Sequence, residues 1–356
     1  MNLKSVIWIV FACLLGSCLS EEPFKKSFQT FVPQELNDGW ELSSPEDQSM
    51  DRQLLEKAYE LVFSEDRYVM ARSLLVFRNG KLVAEAYPND PEDAHKIANI
   101  QSCTKSITSL LVGLAIEKGL LDNLEIKFYD LFPDLFDDHQ EKRQISLKDA
   151  LSMQAGLEFD NDKHTLQLYQ GKNNSIQWIL SKDLIHDPGT YMNYNDGAPH
   201  LVSKAIETLT MQPTASFAEK YLFEPLGIKD WIWESSHDGV TYGAFSLFLK
   251  PRDLGKIGQL VIQNGTWDNR PIIDPEYLAE ATSTQAISGH NNRPYGYYFW
   301  IYPEWNAFAA LGHGGQFVLM VPDKNLVVVF TAWPYTHPQL WGDEKELMDL
   351  IIQSCK

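Results

Sequence analysis

Ile100-Gln101-Ser102-Cys103-Thr104-Lys105-Ser106-Ile107-Thr108-Ser109-Leu110-Leu111-Val112-Gly113-Leu114-Ala115-Ile116-Glu117-Lys118-Gly119 is the stretch around which the chain is organised. It predicts a long helix from about Ser102 to Lys118, with Gly119 placed to end it in a left-handed conformation. Ser102 and Lys105, three residues apart at the helix start, project from one face and can touch. A serine needs a base before it attacks a carbonyl, and a lysine held among apolar groups near another cation can lose its proton close to neutral pH. The helix N-terminus favours negative charge developing beside the hydroxyl. Ser102 is therefore a candidate nucleophile and Lys105 its candidate base. A Ser and a Lys at this spacing arise by chance on the order of once in a chain this long, so the surrounding sequence carries the weight.

Upstream, two apolar runs between Ser73 and Tyr87 flank Asn79-Gly80. That dipeptide suits a type I′ turn, so a β-hairpin is expected, preceded by a helix near Gln48 to Phe63. Downstream, Leu120 to about Asp274 reads as helices separated by polar, Pro-punctuated loops. Strands return near Tyr297–Tyr302, Ala307–Gly312, Gln316–Val321 and Leu326–Trp333, before a closing helix from about Asp343 to Gln353. Strands from both ends with helices between them predict an α/β (α+β) fold: an antiparallel sheet flanked by terminal helices, interrupted by a mainly helical subdomain. The α/β part is expected at about 48–101 and 288–356, the helical part at about 120–287, and a ligand cleft between them.

The first residues point to export. A short n-region with Lys4 precedes an apolar run from Val6 to Leu15, too brief to span a bilayer. Leu15-Gly16-Ser17-Cys18 resembles a bacterial lipobox, which implies a signal peptide over 1–17, lipidation of Cys18 and a polar tether over 18–47. The expected location is the bacterial cell envelope, held by the lipid. Removing 1–17 deletes one lysine and no acid, moving the formal charge from −18 to −19. So acidic a chain is not expected to bind nucleic acid. Only Cys103 and Cys355 then remain, too few for a disulfide scaffold, and both are expected as buried thiols. The histidines show no metal-ligand spacing, so neither metal nor cofactor is expected. Asp137-Asp138 reads as solvated surface. The run Tyr295, Tyr297, Tyr298, Phe299 and Trp300 reads as strand packing before cleft wall.

Two further segments bear on chemistry. Pro188-Gly189-Thr190-Tyr191-Met192-Asn193-Tyr194-Asn195-Asp196-Gly197 is a turn entering a helix that carries Leu201, Val202, Ala205 and Ile206. A phenol there, beside Lys105, can move a proton between nucleophile and leaving group. The apolar pattern after Gly197 favours Tyr194 over the rival Tyr191. His313-Gly314-Gly315-Gln316 lies at the start of a strand, where adjacent glycines let a backbone or a substrate come close. The N–H groups of Ser102 and Gln316 are the expected oxyanion hole.

Together, in this order, these segments resemble the serine β-lactamase and penicillin-binding protein superfamily, in particular its class C β-lactamase-like branch. The resemblance extends to Ser146-Leu147-Lys148-Asp149-Ala150-Leu151, Gln154-Ala155-Gly156-Leu157, Lys250-Pro251-Arg252-Asp253-Leu254 and Asn264-Gly265-Thr266-Trp267. It implies a β-lactamase/transpeptidase-like fold and a serine hydrolase acting on an ester or amide, with Ser102 acylated, Lys105 the base, Tyr194 the proton relay and His313, Gly314 and Gly315 along the substrate. Two departures matter. Tyr194-Asn195-Asp196 stands where many members have Tyr-x-Asn, and His313-Gly314-Gly315 where β-lactamases carry Lys-Thr-Gly. Without that lysine's fixed charge, β-lactams and D-Ala-D-Ala peptides are less expected substrates. Asp196 is expected to repel an anionic substrate, support Lys105 or bind an amine. The expected partners are a small-molecule or peptide-like substrate and, through the lipid, a membrane. A second class of function keeps the fold without turnover: an inactive, lipid-anchored binding protein for an envelope ligand such as peptidoglycan. The intact Ser-Lys-Tyr set argues against it.

Overall fold

The Asn79-Gly80 turn forms as its chemistry requires, with φ of 54° and 77°. It joins β1 (Ala71–Arg78) to β2 (Lys81–Ala86), pairing Arg78 with Lys81 and Phe77 with Leu82 before a bulge shifts the register. The computed structural model describes residues 27–136, 139–289, 292–335 and 344–356; the expected signal segment, Cys18 and Asp137-Asp138 lie outside them. Short strands β3 (Ala98–Asn99), β4 (Ile232–Trp233) and β5 (Leu247–Leu249) form a small sheet, and β6 (Thr266–Trp267) pairs with β7 (Arg270–Pro271). The last third supplies β8 (Ala286–Ile287), β9 (Pro294–Tyr295), β10 (Trp300–Tyr302), β11 (Ala307–Gly312), β12 (Gln316–Val321) and β13 (Leu326–Ala332). The main sheet is antiparallel, in the order β2-β1-β13-β12-β11-β10-β9-β8. Its N-terminal hairpin thus docks on the final strand, Leu75 opposite Val329.

Both faces of this sheet are covered, which is why its central strands are apolar throughout instead of alternating. On the outer face α1 (Arg52–Ser64) and the closing helix pack over Leu74, Val76, Val328 and Phe330. On the inner face lie α2 (Cys103–Glu117) and α5 (Pro251–Ile262), against Leu75, Phe77, Val318 and Val327. Two glycines set the second approach: a Cβ on Gly255 would lie 2.3 Å from the Phe77 ring, and one on Gly258 2.6 Å from Val327. Helix α2 is buried on all sides from Cys103 to Ala115, so its hydroxyls need partners. Ser106 donates to Tyr298 O, Thr108 to Gly243 O, and Ser109 pairs with the Tyr277 hydroxyl. Its end is a Schellman motif: Gly119 N–H bonds Ile116 O and Leu120 N–H bonds Ala115 O.

The mixed α/β architecture is as expected, with local differences. The first helix starts later, because Asp51 caps it by accepting from Gln53 and Leu54. Tyr297 and Tyr298 precede their strand, since Tyr298 turns the chain at φ 66°. β3 to β9 went unread because strands of two or three residues carry no alternation. Residues expected in the tether are in part packed. Phe31 lies against Tyr59, with ring centres 5.1 Å apart, and Trp40 against Phe77 at 4.3 Å. Cys103 and Cys355 are buried and not bridged. Between α2 and α5, α3 (Asn161–Gln170) and α4 (Gly197–Thr210) belong to the helical part; α6 (Glu344–Ser354) is the closing helix.

Candidate active site

Ser102 is delivered by an elbow. Asn99, in β3, accepts the Gln101 N–H on its side-chain oxygen at 2.8 Å, and Gln101 sits in the left-handed region at φ 52°. That conformation costs a non-glycine residue about 1 kcal/mol and turns the chain sharply from strand into helix. The amides of Cys103, Thr104 and Lys105 bond back to Ile100, Gln101 and Ser102. Among the described residues the Ser102 N–H donates to none, so it remains at the helix mouth.

One turn on, Lys105 is 1% exposed. Its Nζ donates to Ser102 Oγ at 2.8 Å, Asp196 Oδ1 at 2.6 Å and Ala244 O at 3.2 Å. Three acceptors match the three protons of an ammonium. Burial pushes the Lys105 pKa down, but the Asp196 charge and then the Tyr194 phenol outweigh it and hold the group above its ordinary value. The charge beside Lys105 is thus an anion, where the sequence reading looks for a cation, and the contact favours the ammonium form.

Asp196 owes its position to the segment entering α4. Asn195 takes over the capping, its Oδ1 accepting from Ala198 N at 2.8 Å, which leaves the Asp196 side chain for Lys105. Gly197 must follow, because a Cβ there would lie 2.7 Å from the Phe159 ring. From α3, Thr165 donates to Asp196 Oδ2 and Asn161 Oδ1 accepts the Asp196 N–H at 2.9 Å. Tyr194 stands over the ammonium, with its ring centre 5.0 Å from Lys105 Nζ, and packs on Trp300 at 5.5 Å and Tyr295 at 6.0 Å. The rival Tyr191 is 48% exposed and stacks on His186.

A cleft of about 810 Å³ opens over these groups, within the range of small-molecule sites. Ser102, Tyr194, Asp196 and His313 line it together. Gly314, Gly315 and Gln316 do not. Gly314 and Gly315 make the β11–β12 turn at φ 76° and 84°, and Gly314 packs on Pro334. Gln316 is 2% exposed and its side chain donates to Gly314 O and Ala332 O. The residue that brings this edge close to the Ser102 elbow is Gly312, whose added Cβ would meet Ile100 O at 2.5 Å. Of the aromatic run, Tyr295, Tyr297, Tyr298 and Phe299 are core, and Trp300 lines the cleft.

Sequence reasoning missed Asn99, Gln101, Asn161, Thr165, Tyr169, Glu234 and Phe245, all on the cleft wall. The Asp160 cap of α3 was a readable helix start, but nothing in it pointed to the cleft. No group of metal-ligating side chains is present among the described residues.

In comparisons with solved structures, the chain is similar to a putative β-lactamase from Bacteroides dorei, with a TM-score of 0.71, 16% identity and coverage of 85% of this chain and 99% of that one. A putative 6-aminohexanoate-dimer hydrolase from Bacillus anthracis gives 0.67 at 18% identity over 92% and 86%. A family VIII carboxylesterase gives 0.70 at 14% identity over 88% and 98%. At these identities the likeness establishes the fold. The Beta-lactamase family model matches residues 63–339. That match spans well over half the sequence, and the chain therefore belongs to the Beta-lactamase family.

Proposed function

We propose that the protein is a serine hydrolase that cleaves an ester or amide through an acyl-enzyme on Ser102. The observation that carries this is the 2.8 Å contact between Ser102 Oγ and a buried Lys105, beneath a cleft that Tyr194 also lines. An inactive binding protein has no use for a buried ammonium held against a serine at the mouth of a strained elbow, since burying such a charge costs several kcal/mol.

The roles follow from the protonation state. Lys105, as an ammonium, donates to Ser102 Oγ and cannot take its proton; Tyr194 is the group left to do so. As Ser102 Oγ attacks the carbonyl carbon, its proton passes to the Tyr194 oxygen and the Tyr194 hydroxyl hands its own proton on to the leaving-group atom. Lys105 supplies positive charge to the oxygens as it moves. The carbonyl oxygen, now an oxyanion, takes the Ser102 N–H and a second backbone amide from the Gly312–His313 edge. The leaving group, carrying the proton relayed through Tyr194, departs as its bond to the carbonyl carbon breaks, and water reverses the sequence to release the acid. Asp196 anchors Lys105 in place of a lysine-activating cation. Class C-like membership within the family fits the Ser-x-x-Lys and Tyr segments, and neighbours named as a carboxylesterase and a putative 6-aminohexanoate-dimer hydrolase suit a hydrolase reading.

Aryl esters, a chromogenic cephalosporin and D-Ala-terminated peptides separate the options. Ester turnover without cephalosporin turnover is expected; turnover of none, with Ser102 unreactive, contradicts the assignment. The sequence before residue 27 supports export and a lipid on Cys18. Labelled palmitate incorporated by the wild type and lost in Cys18→Ala tests that; equal labelling of both refutes it.

A further inference from the structure

We infer that the cleft selects a substrate bearing an ammonium group, an inference that rests on the hydrolase assignment above. The wall away from Ser102 is aromatic and anionic. Tyr169, on the cleft side of α3, contacts Phe245 with ring centres 6.2 Å apart and Tyr242 at 5.6 Å, while Tyr242 stacks on Phe245 at 4.8 Å. The Tyr169 hydroxyl reaches Glu234 Oε2 at 3.4 Å. Leu166 and Tyr169 are 59% and 47% exposed, large apolar side chains turned to the cavity in place of a core.

Charge decides what such a wall accepts. Asp162, Asp196 and Glu234 line the cleft, and His313 is the one basic-type side chain among its lining residues. Asp196 is neutralised by Lys105. Among the described residues, neither Asp162 nor Glu234 forms an ion pair. Glu234 is thus a half-buried carboxylate at the hydroxyl end of the Tyr169 ring, and a carboxylate next to aromatic rings is the combination that binds alkylammonium groups through ring quadrupoles and a counter-charge. The net charge of −18 adds a field that draws cations to the cleft and holds carboxylates off. A carboxylate-bearing substrate would meet no lysine or arginine among the residues that line the cleft.

The test compares three ligands of one shape: choline, 3,3-dimethylbutan-1-ol and 3,3-dimethylbutanoate. Each is measured as a competitive inhibitor of 4-nitrophenyl acetate hydrolysis by the full chain, and by calorimetry on the Ser102→Ala protein. Choline is expected to bind about fivefold or more tighter than the neutral alcohol, and the carboxylate weakest. In Glu234→Gln the ratio of choline to alcohol affinity, read within one protein, falls toward one; Glu234→Asp retains part of it. Equal affinities, or tightest binding of the carboxylate, overturn the inference. Because calorimetry on Ser102→Ala needs no turnover, the two failures separate. Ammonium preference without ester hydrolysis rejects the hydrolase assignment alone, and hydrolysis without preference rejects this inference alone.

Discussion

Replacing Asp196 by Asn removes the one anion that holds Lys105 charged. The side chains are 1% and 9% exposed and 2.6 Å apart, so little solvent screens the pair. Breaking a buried pair by deleting one partner costs about 3–5 kcal/mol, because the remaining charge is left uncompensated. In a chain of this size that lowers the melting temperature by roughly 4–7 °C. The sign of the pH effect follows from the raised Lys105 pKa. The pair's contribution is fully present below the unfolded lysine pKa and is lost as pH rises through the folded one. In Asp196→Asn, burial is no longer opposed by that carboxylate, so Lys105 sheds its proton at a lower pH. If the ammonium form is the active one, the alkaline limb of kcat/KM for a neutral ester moves toward neutrality while the acid limb stays. The assay is a pH–rate profile on aryl acetates beside thermal melts of both proteins. A variant faster than wild type near pH 7, with its acid limb moved down, would show that neutral Lys105 is the base and refute the reasoning. An unchanged melting temperature would refute the buried-pair energetics.

Tyr194→Phe removes the proton carrier and keeps the ring against Trp300; kcat is expected to fall by about 10²–10⁴-fold, and a loss under tenfold would assign the proton elsewhere. His200 is fully buried, its Nε2 shared with Ser175 at 2.9 Å, and burial pushes its pKa down to about 4. Since the folded value lies below the unfolded one, stability is complete above the ordinary histidine range and declines as pH falls toward 4, by up to about 3 kcal/mol. Thermal melts between pH 7 and 4 should show this slope, and His200→Gln should flatten it; equal slopes would place the acid sensitivity in other groups.

Much of the frame was legible because the deciding signals are local. Asn79-Gly80 specifies its own turn, Gly119 its own cap, and the pairing of Ser102 with Lys105 needs nothing beyond a helical spacing. What was not legible depends on partners distant in sequence. The partner of Lys105 is Asp196, 91 residues away, and of the three roles the sequence left open for that carboxylate only the fold brings out the contact with Lys105. Gln316 was expected to offer its backbone N–H at the cleft; its side chain turns into the sheet, and the β11–β12 register pairs it with Gly312, which lines the cleft. The α3 wall was invisible for a different reason. Asn161, Thr165 and Tyr169 sit on a polar helix with Leu168 its one buried side chain, so no hydrophobic stripe announced which face it turns inward.

The most direct test of the central claim is intact-mass analysis of rapidly quenched protein after mixing with a slowly deacylating aryl ester. The account predicts a transient adduct of one acyl mass, mapped by digestion to Ser102 and absent in Ser102→Ala. Turnover with no adduct at any quench time, or an adduct that persists in Ser102→Ala, would contradict it.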